Sequence, residues 1–284
     1  METEDVAQRG AVLVTGASSG IGYEIALRLA RAGYLTFAGV RKESDRQRLA
    51  DAHSNLRPLS LDITIAADRE HAAQSVLQSG LPLRALVNNA GVAVAGPLEY
   101  LPADRLTEQF EINTFAPILL TQSLLAQLRA SHGRALFIGS IAGRIGLPMV
   151  GPYSASKAAL ASLVDSLRQE LAPHGVAVSL FEFAAVKTPI WAKGRERGQE
   201  SAAQYPPETF ERYGKQIAAL VAQSEREEEH GLEPALIAQA IEHAIEEPNP
   251  RARYVIGAQA RIQALVALLP MRLRDRLIAR AMRL

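Results

Sequence analysis

The sequence predicts an α/β fold, a doubly wound parallel sheet with helices on both faces, on three observations. Short runs rich in Val, Leu and Ile alternate with longer helical patterns; the runs are apolar almost throughout; and a glycine-rich turn follows the first run. With 284 residues, 48% of them hydrophobic, the chain can bury one large core. No repeat, low-complexity tract or long linker divides it, so one domain spanning 1–284 is expected.

In order, AVLVTG (11–16), YLTFAGV (34–40), RPLSLD (57–62), RALVNNAG (84–91), RALFIGS (134–140), VAVSLFEF (176–183) and RYVIG (253–257) read as strands. Residues 21–32, 66–79, 103–130, 155–172 and 234–247 carry helical periodicity. In such sheets ligands bind beyond the carboxyl ends of the strands, and the chemistry-bearing motifs fall there or on the helix that follows.

Composition removes several function classes. A net charge of +1 gives no electrostatic argument for nucleic acid. The absence of cysteine excludes disulfides, thiolate catalysis and Cys-based metal sites, and fits a cytoplasmic location. Six histidines without an H-x-x-x-H pair argue against zinc. METEDVAQRG lacks the apolar run of a signal peptide, and no stretch approaches the roughly 20 apolar residues of a membrane span.

The turn TGASSGIG places Gly16, Gly20 and Gly22 where the chain leaves the first strand and enters a helix. Glycines let the backbone turn sharply there, and the free N–H groups of the new helix suit a pyrophosphate. Ser18, Ser19 and Ile21 lie in the same turn. GASSG also matches the G-x-S-x-G elbow of serine hydrolases, with Ser18 as nucleophile. That reading lacks the earlier strand whose loop supplies the oxyanion hole. About 20 residues beyond such a turn, an acid selects NAD and an arginine accommodates a 2′-phosphate. The second strand ends in Arg41 and Lys42 with no acid at its tip, so NADP(H) is expected, with Arg41 and the Ser19 hydroxyl on the phosphate. Glu43 could neutralise either cation.

GPYSASKAAL, 151–160, stacks Tyr153 and Lys157 one helical turn apart among small residues. A fixed positive charge beside a phenol lowers its pKa by about one to three units and makes it a usable acid and base.

TGASSGIG, LDI (61–63), NNAG (88–91), EIN (111–113), GSIAG (139–143) and YSASK (153–157), in that order, make the sequence resemble the short-chain dehydrogenase/reductase family over residues 10–257. The resemblance implies a seven-stranded Rossmann-type sheet and hydride transfer between a nicotinamide and an alcohol or carbonyl. It makes Tyr153 the general acid and base, and assigns Lys157 to lowering its pKa and binding the nicotinamide ribose. Ser140 would hydrogen-bond the substrate oxygen, and Asn113, within a long helix, would hold a water joining Lys157 to solvent. Asp62 and Ile63 would border the adenine, with Asn89, Ala90 and Gly91 beside its ribose; Asp62 could equally cap a loop, and Asn89 could satisfy strand-end backbone.

After the sixth strand the family has Pro-Gly where this chain has Phe183 and Ala184, followed by Val186 and Thr188, which would hold the carboxamide. Phe183 would crowd the nicotinamide or enter the substrate pocket. Altered substrate shape, weakened cofactor binding and an engineered change each follow, with core packing as the plain alternative. Ala142 and Trp191 join the expected substrate wall.

Residues 188–232 are long and charged, as expected of a helical lid, with Trp191, Tyr205, Phe210 and Tyr213 covering substrate or packing as a helical pair. Glu225–Glu229 reads as a solvated helix face. The extension 258–284 is amphipathic, with Ile262, Leu265, Val266, Leu269, Leu273, Leu277 and Ala281 at helical spacing, arginines at 272, 274, 276, 280 and 283, and Pro270 as a divider. It could rest peripherally on anionic lipid, cap the cleft or join a neighbouring subunit, with packing on protein the first expectation.

The expected activity interconverts a hydrophobic ketone and secondary alcohol, as in steroid- and retinol-type relatives. The alternatives are a non-catalytic nucleotide binder and the Ser18 hydrolase. A homodimer or homotetramer is expected through the helices at 103–130 and 155–172.

Overall fold

The structure is a computed structural model, and it describes residues 9–282. The eight residues before them, read above as no signal peptide, and Arg283 of the extension lie outside the described residues.

Seven parallel strands form one sheet in the order β3-β2-β1-β4-β5-β6-β7. They are β1 Ala11–Thr15, β2 Leu35–Val40, β3 Leu56–Ser60, β4 Leu83–Asn88, β5 Arg134–Ile138, β6 Ala177–Phe183 and β7 Arg253–Ile256. The order reverses between β1 and β4, which opens a crevice at their carboxyl ends.

Side-chain alternation divides the core in two. Val12 and Val14 of β1 face one side, where α1 (Gly20–Arg31) and α9 (Pro234–Glu246) pack through Ile25, Leu29, Ile237 and Ile241. Ala11 and Leu13 face the other side, covered by α3 (Ala66–Gln78), α5 (Ala116–Ser131) and α6 (Gly151–Leu171). Strands buried on both faces read as continuous apolar runs for this reason.

Two elements differ from expectation. α2 (Glu43–Ala52) was not read, because it buries only Leu49 and shows no apolar stripe. The segment expected as one helix over 103–130 is α4 (Ala103–Phe110), a π-helical turn Glu111–Phe115, and α5. Residues 188–232 form two regular helices, α7 (Ile190–Ala202) and α8 (Glu208–His230), as the helical reading of this segment expected. Beyond β7 lie α10 (Ala258–Val266) and α11 (Met271–Met282), divided at Pro270.

Candidate active site

The glycine turn is built on one side chain that the sequence did not single out. Thr15 Oγ1 accepts hydrogen bonds from the backbone N–H groups of Asn89 (2.9 Å) and Ala90 (3.0 Å), joining the ends of β1 and β4. The Asn89 amide donates in return to the carbonyls of Thr15 (2.9 Å) and Gly16 (3.2 Å). Gly16 has φ +65°, a conformation that disfavours a side chain. A Cβ on Gly22 would lie 2.3 Å from the Gly16 carbonyl oxygen and 2.4 Å from the Asn89 amide nitrogen. Asn89 is therefore structural in the way its alternative reading foresaw, and it leaves Ala90 and Gly91 along an open edge.

Ser19 is the N-cap of α1, and its hydroxyl makes no capping bond. The first N–H groups of α1 are thus not covered by their own cap, which suits an anionic group. Gly20 and Ile21 open that helix, with Thr188 against Gly20. Arg48 of α2, absent from the sequence reading, donates to the Ser18 carbonyl and lies over the Tyr23 ring. No histidine is hydrogen-bonded to the Ser18 hydroxyl among the described residues, so nothing supplies the base that a serine nucleophile needs.

At the β2 tip, Arg41 and Lys42 are exposed, and Arg41 lies 3.8 Å from Asp62. Asp62 accepts from the N–H (3.0 Å) and hydroxyl (2.7 Å) of Thr64, so it caps its own loop as well as facing Arg41. The Ile63 side chain is buried in the same core cluster as Phe37, Leu61, Ala72 and Val76, which leaves its backbone to border a ligand.

The expected four residues converge at the ends of β4 and β5. Asn113 sits in the π-helical turn, fully buried. Its amide donates to Val92 O (2.9 Å) and Ser156 Oγ (3.2 Å), and its Oδ1 accepts from Val92 N (2.9 Å). Both donors are committed, so only an Oδ1 lone pair remains for the expected water. Gln109, one turn earlier, grips Val92 O and Val94 N at 2.7 Å each, and the two amides together fix the loop segment that follows NNAG. Nothing in the sequence singles out Gln109, because its burial comes from the fold and not from residue type.

Ser140 ends β5 as the cap of a short turn, Ile141–Arg144, its hydroxyl accepting from Ala142 N at 3.1 Å. Lys157 is buried, and its Nζ donates to Ile138 O at 2.8 Å. Among the described residues no carboxylate pairs with it, and burial lowers its pKa to about 8. The Nζ stands 6.0 Å from the centre of the Tyr153 ring. Burial pushes the Tyr153 phenol up, opposed by the Ser140 hydroxyl. The expectation that Lys157 lowers this phenol is corrected here. What acts on the half-buried Tyr153 is desolvation first and the Ser140 hydroxyl second, and Lys157 is not among the causes.

Behind the turn lies a further unread group. Glu182 of β6 is 1% exposed, and Arg144 grips it through both guanidinium arms, at 2.9 and 2.5 Å. Arg253 of β7 approaches the same carboxylate at 3.5 Å. The turn that carries Ser140 and Ala142 is thereby anchored to the two last strands.

Phe183 follows its core-packing alternative. It is 6% exposed and packs with Ile138, Phe181 and Val186 in the core, so its ring does not enter an open pocket. Ala184 takes the partly open position beside it, and Val186 is buried. The Trp191 indole donates to Val186 O at 2.9 Å, which ties α7 to this segment. Lys187 N and Leu232 N complete the clamp by bonding Leu232 O and Ala185 O.

The helical pair α7–α8 lies over the segment 92–110. Tyr205 packs on Gly96, Tyr100 sits 6.1 to 6.5 Å from Tyr213 and Tyr205, and Phe210 remains exposed. Ion pairs join the rims: Arg105 to Glu200 (2.8 Å), Arg197 to Glu108 (2.9 Å) and Arg212 to Glu99 (3.1 Å).

Residues 10–199 match the family model for short chain dehydrogenases. The chain belongs to that family. Its members are oxidoreductases. The chain is 36% identical to the NADPH-dependent 3-dehydrocapnine reductase of Ornithobacterium rhinotracheale, over 93% of this chain and 94% of that one. It is 34% identical to retinol dehydrogenase 5 of Mus musculus, over 93% and 86%. Among solved structures, a short chain dehydrogenase from Burkholderia cenocepacia in complex with NADP superposes with a TM-score of 0.72. It is 25% identical and covers 94% of this chain and 97% of that one.

Proposed function

We propose that the chain is an NADP(H)-dependent reductase that interconverts a hydrophobic ketone and its secondary alcohol. The observation that carries this reading is the buried, acid-free Lys157 ammonium one helical turn from Tyr153 and beside the end of β5. Burying a charge is costly, and a chain keeps one only where something repays it.

The residues fit a phosphorylated dinucleotide. The uncapped start of α1 and the free Ser19 hydroxyl suit a diphosphate, and the close approach at Gly22 leaves the turn no side chain of its own. Exposed Arg41 and Lys42 supply positive charge for a 2′-phosphate, with Asp62 holding Arg41 near. Ala90, Gly91, Ala184 and Thr188 line the route between those groups and Lys157. When bound, the nicotinamide supplies or accepts a hydride.

The remaining work belongs to the chain. Tyr153 donates a proton to the carbonyl oxygen as negative charge develops there, and Ser140 donates a hydrogen bond to the same oxygen. The raised phenol keeps its proton at neutral pH, the form that reduction requires. Lys157 has two N–H donors beyond its bond to Ile138 O, which suit a ribose diol. Asn113 holds Val92 and, through Ser156, the Tyr153 turn of α6, since Ser156 Oγ donates to Tyr153 O at 2.8 Å. Ala142 and the helices α7 and α8, acting as a lid, give the substrate an apolar wall, which favours a bulky ketone. Exposed Leu106, Phe115, Leu119 and Leu163 on α4, the π turn, α5 and α6 favour a homodimer or homotetramer through that face. A single domain in a reducing cytoplasm completes the reading.

NADPH oxidation with a panel of apolar ketones tests it. Tyr153→Phe should lower turnover by about 10²–10⁴-fold while NADPH binding stays unchanged. Turnover that survives the substitution, or none from the wild type despite tight NADPH binding, overturns the proposal in favour of a non-catalytic binder.

A further inference from the structure

The outer face of the last two helices has no protein partner within the described chain. α10 turns Ala260, fully buried, toward the body of the protein and packs against β7 and the Ile141–Arg144 turn. Its opposite face carries Ile262 and Leu265, and Leu268, in the turn that follows, is 80% exposed. Met271, Leu273 and Leu277 of α11 are exposed as well.

Charge decides what could cover it. Arg272, Arg276 and Arg280 recur every fourth residue of α11 and form one ridge, and Leu273 and Leu277 form the ridge beside it. Residues 258–282 contain five arginines and one acid, Asp275. A second copy meeting this face through a two-fold axis would bring the arginine ridges together, an arrangement that like charge opposes. Leucines flanked by arginines, whose long stems lie along apolar surface while the guanidinium heads reach outward, match lipid acyl chains beneath anionic headgroups. No helix among the described residues is long and apolar enough to cross a membrane, so such contact is peripheral.

We propose that α10 and α11 form a docking surface for an anionic lipid bilayer. The leucines enter the acyl boundary and the arginines engage headgroup phosphates. Because α10 rests on the turn that bears Ser140, docking brings that turn within about one helix diameter, ~10–12 Å, of the lipid. A consequence that rests on the proposed function is that a lipophilic ketone dissolved in the leaflet meets the site without crossing bulk water. The docking itself does not depend on that reading.

The full-length chain is sedimented with vesicles of phosphatidylcholine, with and without phosphatidylglycerol. The comparison includes the triple variant Arg272→Glu, Arg276→Glu, Arg280→Glu and the double variant Leu268→Ser, Met271→Ser. All replaced side chains are exposed, so thermal unfolding should be unchanged and serves as the folding control. The wild type should bind only the anionic vesicles, with affinity at least about tenfold weaker after charge reversal and reduced in the apolar variant. Failure to sediment with anionic vesicles overturns docking, as does a charge-reversed variant that binds as well as the wild type. A wild-type oligomer that becomes monomeric in Leu268→Ser, Met271→Ser gives the face to a second copy and likewise overturns it. Vesicle binding needs no turnover, so a failed ketone screen leaves the result intact.

Discussion

The two sides of the crevice are fastened by different chemistry. At the glycine turn, short buried side chains bond directly to backbone: Thr15 to Asn89 and Ala90, Asn89 to Gly16, Asn113 and Gln109 to Val92 and Val94. On the lid side, long charged side chains pair across partly exposed rims, as Arg105, Arg197 and Arg212 do with Glu200, Glu108 and Glu99. Buried bonds of the first kind are costly to break, because each leaves a polar group unpaired. Surface pairs of the second kind contribute little individually and weaken in salt. One side is therefore a fixed cradle, and the other is suited to opening.

The largest effect should come from the cradle. Gly22→Ala forces a methyl against the Gly16 carbonyl and the Asn89 amide, both of which hold the turn. Isothermal titration should show NADPH affinity falling by about 100-fold, equivalent to about 3 kcal/mol. Affinity near that of the wild type would mean the cradle is soft.

Glu182→Gln comes next, since it leaves Arg144 and Arg253 without their shared charge. Because both arginines are partly exposed, the loss is less than for a wholly buried pair, about 2–3 kcal/mol in urea unfolding. Its position behind the Ser140 turn predicts a larger rise in ketone KM than in NADPH Kd. Equal changes in the two would make its role purely structural.

Lys157 gives a smaller effect with a definite sign. Burial lowers its pKa from 10.5 to about 8, so between those values the unfolded chain binds more protons than the folded one. Stability should therefore rise with pH through that window, on the order of 2 kcal/mol, with the full penalty present below about pH 8. Lys157→Met should flatten the slope, measured short of the ordinary tyrosine pKa of 10.0 so that Tyr153 does not contribute.

The smallest effect belongs to the rim. Arg197→Ala removes a partly exposed pair with Glu108 and should cost at most about 1 kcal/mol. Hydrogen exchange in α7 should rise in the variant and, for the wild type, in high salt, while β1 and β4 stay protected. Exchange that rises equally on both sides would erase the distinction between cradle and lid.

The same difference explains what the sequence disclosed. Strands buried on two faces appear as apolar runs, and a turn that excludes side chains appears as glycines, so the sheet and Gly16–Gly22 were readable. Tyr153 and Lys157 were readable as a spacing, although the sign of the Tyr153 shift was not, because burial depends on residues far apart in the chain. α2 escaped because its charged, exposed residues leave no apolar stripe. The break at Asn113 escaped because a π-helical turn changes hydrogen-bond register without changing residue type. For Phe183 the sequence left crevice and core both open, because a strand-end ring facing the core and one facing the crevice differ by a single step of alternation.

The most direct test of the account is fluorescence titration with NADPH and NADH of the wild type and Arg41→Ala. A fixed cradle with Arg41 at its 2′-phosphate end predicts tight NADPH binding that weakens in the variant, with NADH binding hardly changed. Failure to bind either nucleotide, or equal weakening of both, would contradict it.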